Sequence, residues 1–274
     1  MYAVDFEYDG QYLSDYGFMI CDFDRAGDKD VTSAGSNVTF TKVSRNYGKN
    51  YSLGGTSYDE CVKTTFQICK KPDDCGKSHV DMVITNDEYR DLMRWLNRRE
   101  FLKFQVFDED DEERTTCYFD VSFNVSKIKI GGALYGLELA LESNRPFGYG
   151  QELSATYTFL DVSKSYIFSD ISDEIGYIYP DMTIVCNADG DLSIYNELEN
   201  CTTTIKNCSY GETITISGSA QTIASTYTSH DIANDFNYEF FRIGNTINTR
   251  SNRITVSKPC QVTIRYCPVI KDVP

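Results

Sequence analysis

Asn144-Arg145-Pro146-Phe147-Gly148-Tyr149-Gly150 divides this 274-residue chain into two stretches of different character. Pro146 fixes its own φ and pushes Arg145 toward extended geometry, while Gly148 and Gly150 open conformations closed to other residues. That composition suits a joint between two β-rich domains, residues 1–147 and 148–274, and carries no chemistry of its own. Before the joint lie several strand-like runs and one strongly helical segment. After it the chain alternates with period two, and no convincing helix appears.

The length allows each domain its own core. Aromatic residues make up 14% of the chain, with 20 Tyr and 16 Phe. Such residues favour pleated, half-buried surfaces, so a mainly β class is expected. The formal net charge of -15 is spread over both halves, and no basic stripe stands out. Specific nucleic-acid binding therefore lacks its electrostatic footprint, and anionic membranes are disfavoured partners. No apolar run approaches roughly 18 residues, so membrane insertion is not expected. The opening Met1-Tyr2-Ala3-Val4-Asp5-Phe6-Glu7 has acidic residues where a signal peptide needs a basic and then an apolar region, which predicts synthesis in a cytoplasm.

In the first half, strands are expected at Met1–Phe6, Tyr16–Phe23, Val38–Val43 and Cys61–Cys69, with turns at Asp9-Gly10 and Gly54-Gly55 and an aperiodic loop over 24–36. Thr85-Asn86-Asp87-Glu88 has the capping-box pattern, in which Thr85 and Glu88 reciprocally satisfy amides at a helix start. Tyr89, Leu92, Met93 and Leu96 follow at i, i+3, i+4 and i+7 as one core-packing face, with Trp95 off its centre. Phe101–Phe107 and Cys117–Val125 flank an acidic stretch, Asp108 to Arg114, and read as a hairpin. Its tip is either a solvated charged turn or a weak cation site. Gly131-Gly132 is another turn, and Leu137, Leu139 and Leu141 line one face of a closing strand.

The second half holds candidate strands at Ala155–Phe159, Ile178–Cys186, Asp191–Tyr195, Thr203–Lys206, Thr213–Ser217, Thr222–Ala224, Tyr238–Arg242, Arg253–Ser257 and Gln261–Tyr266. Turn signals recur between them at Asp189-Gly190, Tyr210-Gly211, Gly244-Asn245 and Ser251-Asn252. Many short strands with regular turns indicate a sandwich or jelly-roll-like domain.

Chemistry is sparse. The ten cysteines contain no Cys-x-x-Cys, and Cys69, Cys75 and His79 do not match a common zinc spacing. Free thiols behaving as small apolar residues are expected, with disulfides or a metal as the alternatives. Cys201/Cys208 and Cys260/Cys267 are each seven positions apart, which puts the members of a pair on opposite faces of an uninterrupted strand. His79 and His230 are the only histidines, and no triad, phosphate loop or dinucleotide fingerprint is present. Carboxylate pairs for glycoside cleavage meet only in a fold, and nothing selects one pair among the acids. The expectation is a non-enzyme with no cofactor and no metal. Tyr157, Tyr166, Tyr177, Tyr179, Tyr195, Tyr210 and Tyr227 are either half-buried packing residues or platforms for sugar faces.

The order of several weak motifs adds a family resemblance spanning the whole chain. Phe6-x-Tyr8-Asp9-Gly10-x-x-Leu13-x-Asp15-Tyr16-Gly17-Phe18-x-Ile20 resembles the start of distal tail proteins of long-tailed, non-contractile phages. The capped helix with its hairpin, the joint at Arg145–Gly148, and then Ile178-Tyr-Pro180, Leu192-Ser-Ile194-Tyr-Asn196, Gly211-Glu212-Thr-Ile214-Thr-Ile216 and Ile243-Gly244-Asn245-Thr-Ile247 follow in that family's order. Ten cysteines are more than the family pattern leads one to expect. The resemblance implies a non-catalytic virion tail protein. Its first domain would be a β-sandwich or barrel-like fold with one helix and a hairpin. Its second would be a galectin-like or carbohydrate-binding-module-like sandwich projecting outward. It further implies a homo-hexameric ring joining the tail tube to tail-tip or baseplate proteins, with a host-surface glycan as a further partner of the second domain. A soluble carbohydrate-binding protein is the alternative. The hairpin strands, read as exposed edges, nominate Phe104, Val106, Tyr118 and Phe119 for self-association.

Overall fold

Period-two runs fold as strands because alternate side chains reach opposite faces of a pleated sheet. The computed structural model describes residues 3–23, 38–44, 52–58, 61–72, 81–108 and 117–271. The chain is mainly β. It separates into two units, Met1–Gly150 with Lys271–Pro274, and Gln151–Ile270. Among the described residues no helix is long and apolar enough to cross a membrane.

The first unit contains β1 (Ala3–Tyr8), β2 (Gln11–Tyr12), β3 (Phe18–Cys21), β4 (Val38–Val43), β5 (Ser52–Tyr58), β6 (Lys63–Lys70), α1 (Asn86–Leu96), β7 (Leu102–Asp108), β8 (Phe119–Ile130), β9 (Ala133–Ser143) and β10 (Gly148–Tyr149). Seven strands form one sheet in the order β2-β1-β7-β8-β9-β6-β3. Among the described residues its ends are not hydrogen-bonded to each other, so the sheet is open and not a closed barrel. Phe6 and Tyr8 of β1, Phe119, Val121 and Phe123 of β8, and Leu137, Leu139 and Leu141 of β9 supply its buried face.

Helix α1 starts as its cap predicts. Thr85 Oγ1 accepts from the Glu88 amide at 3.3 Å, and Glu88 Oε2 accepts from the Thr85 amide at 2.7 Å. Its buried face is Leu92, Trp95 and Leu96, while Tyr89 and Met93 are only partly covered. Trp95, expected off-centre, is therefore central. Its ring stacks 5.6 Å from Phe6 and 4.5 Å from Tyr16, and its indole N–H donates to the Tyr8 carbonyl at 2.9 Å. The aromatic partners lie on β1 and the segment after it, far away in sequence, which is why helical periodicity alone misplaces this residue.

The joint is docked on the first unit. Tyr149 exchanges two 2.8 Å backbone hydrogen bonds with Tyr118, and the Arg145 guanidinium lies 4.7 Å over the Tyr149 ring. Gly148 is needed for space and not for φ. A Cβ there would collide with Cys117 Sγ and come within 2.8 Å of the Phe119 ring. The Gly54-Gly55 pair, expected as a turn, lies inside β5, where Gly54 is the extra residue of a register shift against β4. Residues 24–36 and the acidic tip 109–114 lie outside the described residues.

In the second unit, β11 (Leu153–Phe159), β21 (Cys260–Tyr266), β14 (Asp181–Cys186), β17 (Thr213–Ser217) and β18 (Thr222–Ser225) form one sheet in that order. A second sheet runs β12 (Ser165–Ser169), β20 (Ser251–Val256), β15 (Gly190–Asn196), β16 (Cys201–Cys208), and β13 (Gly176–Ile178) pairs with β19 (Ile243–Asn245). Phe159, Met182, Ile184, Ile214, Val262 and Ile264 of the first sheet share one core with Leu192, Ile194, Ile205, Ile254 and Val256 of the second, which makes a β-sandwich.

Three expectations are corrected here. Tyr238–Arg242 is not a strand. Asn237 instead donates Nδ2 to the Thr202 carbonyl at 2.9 Å and accepts from the Thr204 amide at 3.1 Å, so a side chain satisfies the edge of β16 that a strand would have covered. A short helical turn, α2 (Ile232–Asp235), precedes it. The Gly244-Asn245 and Ser251-Asn252 turns are strand residues of β19 and β20. Finally, Cys201 and Cys208 both face the core, because β16 carries one extra residue between Ile205 and Cys208, with Asn207 at φ 53°.

Candidate assembly surface

The pair β4–β5 is a two-stranded ribbon hydrogen-bonded to no other strand among the described residues. Cross-strand partners Val38↔Tyr58, Phe40↔Thr56 and Lys42↔Leu53 put Val38, Phe40 and Leu53 on one face, with Val43 on the other. These four apolar residues are 46%, 55%, 65% and 48% exposed, respectively. An isolated two-stranded ribbon is marginal by itself, and a contiguous exposed apolar face marks a contact surface. The sequence carried a signal for it: Val38, Phe40 and Val43 place apolar side chains on both faces of one short strand, leaving no purely solvent face.

The residues nominated from sequence sit differently. Phe104 and Phe119 are buried and directly opposite each other across β7 and β8. Strand β7 lies between β1 and β8, and β8 is paired with β9 from Val121 to Ile130. Neither strand is an edge over those pairings, and a side chain spent in the core is not offered to a neighbouring copy. Val106 and Tyr118 are half-buried, and Tyr118 packs 5.5 Å from Tyr149 with Lys103 over its ring at 4.8 Å.

In the second unit the tyrosines divide. Tyr157 and Tyr166 pack together at 5.2 Å, and the Tyr166 hydroxyl donates to the Thr158 carbonyl at 2.7 Å. Tyr179 packs 5.4 Å from Tyr177, and Tyr195 is partly buried. Tyr177, Tyr210 and Tyr227 are exposed. Arg242 lies 4.9 Å over Tyr177, and the Tyr227 hydroxyl donates to the Tyr210 carbonyl at 3.0 Å. A groove of about 390 Å³ on the outer face of β12–β20 is lined by Ile167, Glu197, Leu198, Ser251 and Arg253. Arg253 is fixed there by Glu197 at 3.1 Å and the Ser165 hydroxyl at 3.3 Å.

His230 lies in the loop between β18 and α2, and its side chain is buried, with Nδ1 2.5 Å from Glu212 Oε1 and Nε2 3.3 Å from Asp235 Oδ2. Glu212, fully buried, also accepts from the Ser225 hydroxyl at 2.5 Å and the Ser209 amide at 2.8 Å. Burial alone would raise the Glu212 pKa, but the hydrogen bonds from His230, Ser225 and Ser209 outweigh it and hold the carboxyl below its ordinary value. Burial likewise opposes the charged imidazole, and Glu212 more than compensates, so the His230 pKa is raised. Ser225 points to the carboxylate and not to the imidazole, so the cluster is a buried ion pair without a nucleophile–base contact. Cys75 and His79 lie outside the described residues, and no group of three His, Cys, Asp or Glu among the described residues is arranged to hold a metal.

A family model described as the phage tail protein N-terminal domain matches residues 1–145, and one described as the phage tail C-terminal domain matches residues 147–266. The chain belongs to this phage tail protein family. Among solved structures, the tail protein is similar to the Dit protein (gp 19.1) of phage SPP1, described as a paradigm of the hub adsorption apparatus in phages infecting Gram-positive hosts. The TM-score is 0.66 at 12% identity, over 97% of this chain and 99% of that one. It also matches a chain of the phage p2 baseplate in its activated conformation with Sr, at TM-score 0.47 and 9% identity, over 97% of this chain and 98% of that one. At 12% identity the likeness to Dit establishes a shared fold. No curated protein matches the chain.

Proposed function

We propose that this tail protein is the distal tail hub: a non-catalytic ring that joins the tail tube to tail-tip or baseplate proteins. The observation that carries the reading is the β4–β5 ribbon, whose apolar face is exposed on the unit that matches a tail N-terminal domain. A ring requires a heterologous contact that closes, in which a patch on one copy meets a different patch on the next. The ribbon supplies one such patch, and half-buried Val106 and Tyr118 are proposed for the complementary side. The assembly role is assigned to residues 1–147 and the outward, partner-facing role to a galectin-like domain of residues 148–274. Six copies per ring, synthesis in the host cytoplasm and incorporation into the virion tail complete the proposal. The likeness to the SPP1 hub supports it through fold.

Mass photometry and negative-stain microscopy of the purified chain test this. A hexameric mass and six-fold rings are expected. A strict monomer at high concentration, with no ring after addition of tail tube protein, overturns it. A second reading, saccharide binding by the second unit, is favoured by the Arg253–Glu197 groove and exposed Tyr210. Glycan-array binding lost in Arg253→Ala, without affinity for tail components, would replace the hub reading.

A further inference from the structure

The two sides of the second sandwich are finished differently. On one side Asn237 occupies the edge of β16, and α2 packs against both β16 and β18. On the other side the sheets end in β11 and β12, and neither has a further strand partner among the described residues. Edge strands are ordinarily blunted by a charge, a proline or a bulge, because a bare edge invites another chain to pair with it. Strand β11 reads Leu153-Ser-Ala-Thr-Tyr-Thr-Phe159 and has none of these. It is uncharged, and all seven residues pair with β21 in unbroken register.

The register shows which backbone groups the edge leaves over. Asn187 donates to the Pro259 carbonyl at 3.1 Å, so their neighbours Cys186 and Cys260 are a non-hydrogen-bonded pair of β14 and β21. Cys260 therefore turns its amide and carbonyl toward β11, where its partner is Phe159. Alternation along β11 then commits Leu153, Ala155 and Tyr157 to β21, and the amides and carbonyls of Ser154, Thr156 and Thr158 face outward. The Tyr166 hydroxyl donates to the Thr158 carbonyl at 2.7 Å. The outward backbone groups of Ser154 and Thr156 have no partner among the described residues, and both residues are exposed.

Beside those two residues the sheets part. A cleft of about 250 Å³ opens there, lined by Leu153, Ala155, Tyr157, Phe168, Ile264 and Tyr266. Toward Thr158 the gap is filled by Tyr166, which packs 5.2 Å from Tyr157 and 5.0 Å from Phe159. An apolar cavity of about 150 Å³ accepts benzene, so this cleft has room for one aromatic or branched aliphatic side chain.

We propose that β11 is a strand-addition site, where an extended segment of a partner tail protein pairs with Ser154 and Thr156 and lays one apolar side chain in the cleft. Main-chain hydrogen bonds supply affinity in this mode, and the pocket for alternate side chains supplies selectivity. The proposal rests on the partner-facing role assigned to residues 148–274, and not on the ring. Charge selects the occupant. Residues 151–270 carry 7 Lys and Arg against 14 Asp and Glu, so two second units brought edge to edge repel each other. The incoming strand is therefore uncharged or basic and belongs to a different protein.

The experiment uses the full chain and the octapeptide Lys-Thr-Val-Thr-Phe-Thr-Val-Lys, with its central residue also varied to Leu, Ile, Tyr and Ala. Calorimetry should show binding by members with a large apolar centre, weakened roughly tenfold or more when the centre is Ala. Hydrogen exchange at single-residue resolution should find Ser154 and Thr156 amides fast in the free chain and slowed by peptide. Ala155 and Tyr157, already paired to β21, should be slow in both states. Thr156→Pro removes an amide that faces away from β21, so it should abolish binding and leave the fold intact. Ala155→Leu, which fills the cleft, should weaken binding at least tenfold. No binding by any member below about 1 mM, or unchanged binding in both variants, overturns the proposal. So does protection of Ser154 and Thr156 in the free chain that grows with its concentration, because the occupant is then a second copy. The exchange pattern of the unmodified chain decides the matter even if a variant fails to fold. Ring mass is measured separately, so a chain that assembles without binding peptide refutes this site alone, and a peptide-binding monomer refutes the ring alone.

Discussion

Replacing Phe40 with aspartate separates assembly from folding. Phe40 is 55% exposed on the apolar face of β4–β5. An aromatic side chain buries about 150–250 Å², so roughly 100 Å² remains for a neighbouring copy to cover. At about 25 cal/mol per Å² that area contributes about 2.5 kcal/mol per interface, equivalent to roughly 70-fold in affinity, before the cost of desolvating the new carboxylate. In a closed ring every interface suffers the same loss, so Phe40→Asp should leave monomers at concentrations where the parent chain assembles. The monomer itself should lose less than about 0.5 kcal/mol, because the site is open to solvent. Sedimentation velocity across a concentration series, together with thermal unfolding, measures both quantities. Thr39→Asp, on the other face, should weaken assembly far less. If Phe40→Asp assembles like the parent chain while folded, the ribbon is not the contact. If it lowers the melting temperature strongly, the ribbon is packed within its own chain and the reasoning fails.

Trp95→Ala should cost the first unit about 3–5 kcal/mol by removing the ring between Phe6 and Tyr16. Trp95→Phe should cost less, chiefly the indole bond to Tyr8, and urea unfolding followed by circular dichroism separates the two. For the buried pair, the raised His230 pKa contributes stability that is complete below about pH 6.5 and is lost as pH rises through the folded value. The lowered Glu212 pKa contributes above about pH 4.5 and is lost as pH falls through its folded value. The second unit's urea midpoint should therefore contain a term that is greatest between these limits, and Glu212→Gln should flatten both flanks. An unchanged profile in that variant would show the pair to be energetically idle. Gly148→Ala should cost about 1–3 kcal/mol through collision with Cys117 and Phe119, read as a lower melting temperature of the first unit.

The sequence by itself determined what depends on near neighbours along the chain. Alternation in Asp181–Cys186 and in Leu137-x-Leu139-x-Leu141 specified strands and their buried faces. Thr85 and Glu88 specified where a helix starts, and the ordered motifs specified the tail-protein family. Tertiary structure decided everything that depends on which distant segment covers a face or an edge. Strands β7 and β8 read as a hairpin with exposed edges, but β1 and β9 flank them and send Phe104 and Phe119 into the core. Trp95 becomes central because Phe6 and Tyr16 arrive from elsewhere, and Asn237 takes a strand's place beside β16. One extra residue at Asn207 reverses the face of Cys208, and no parity count along an unbroken strand can foresee it. The joint at Pro146–Gly150 shows both halves of the lesson. Its composition marked a boundary, but Gly148 is there because Cys117 and Phe119 leave no room for a Cβ, a constraint set across the fold.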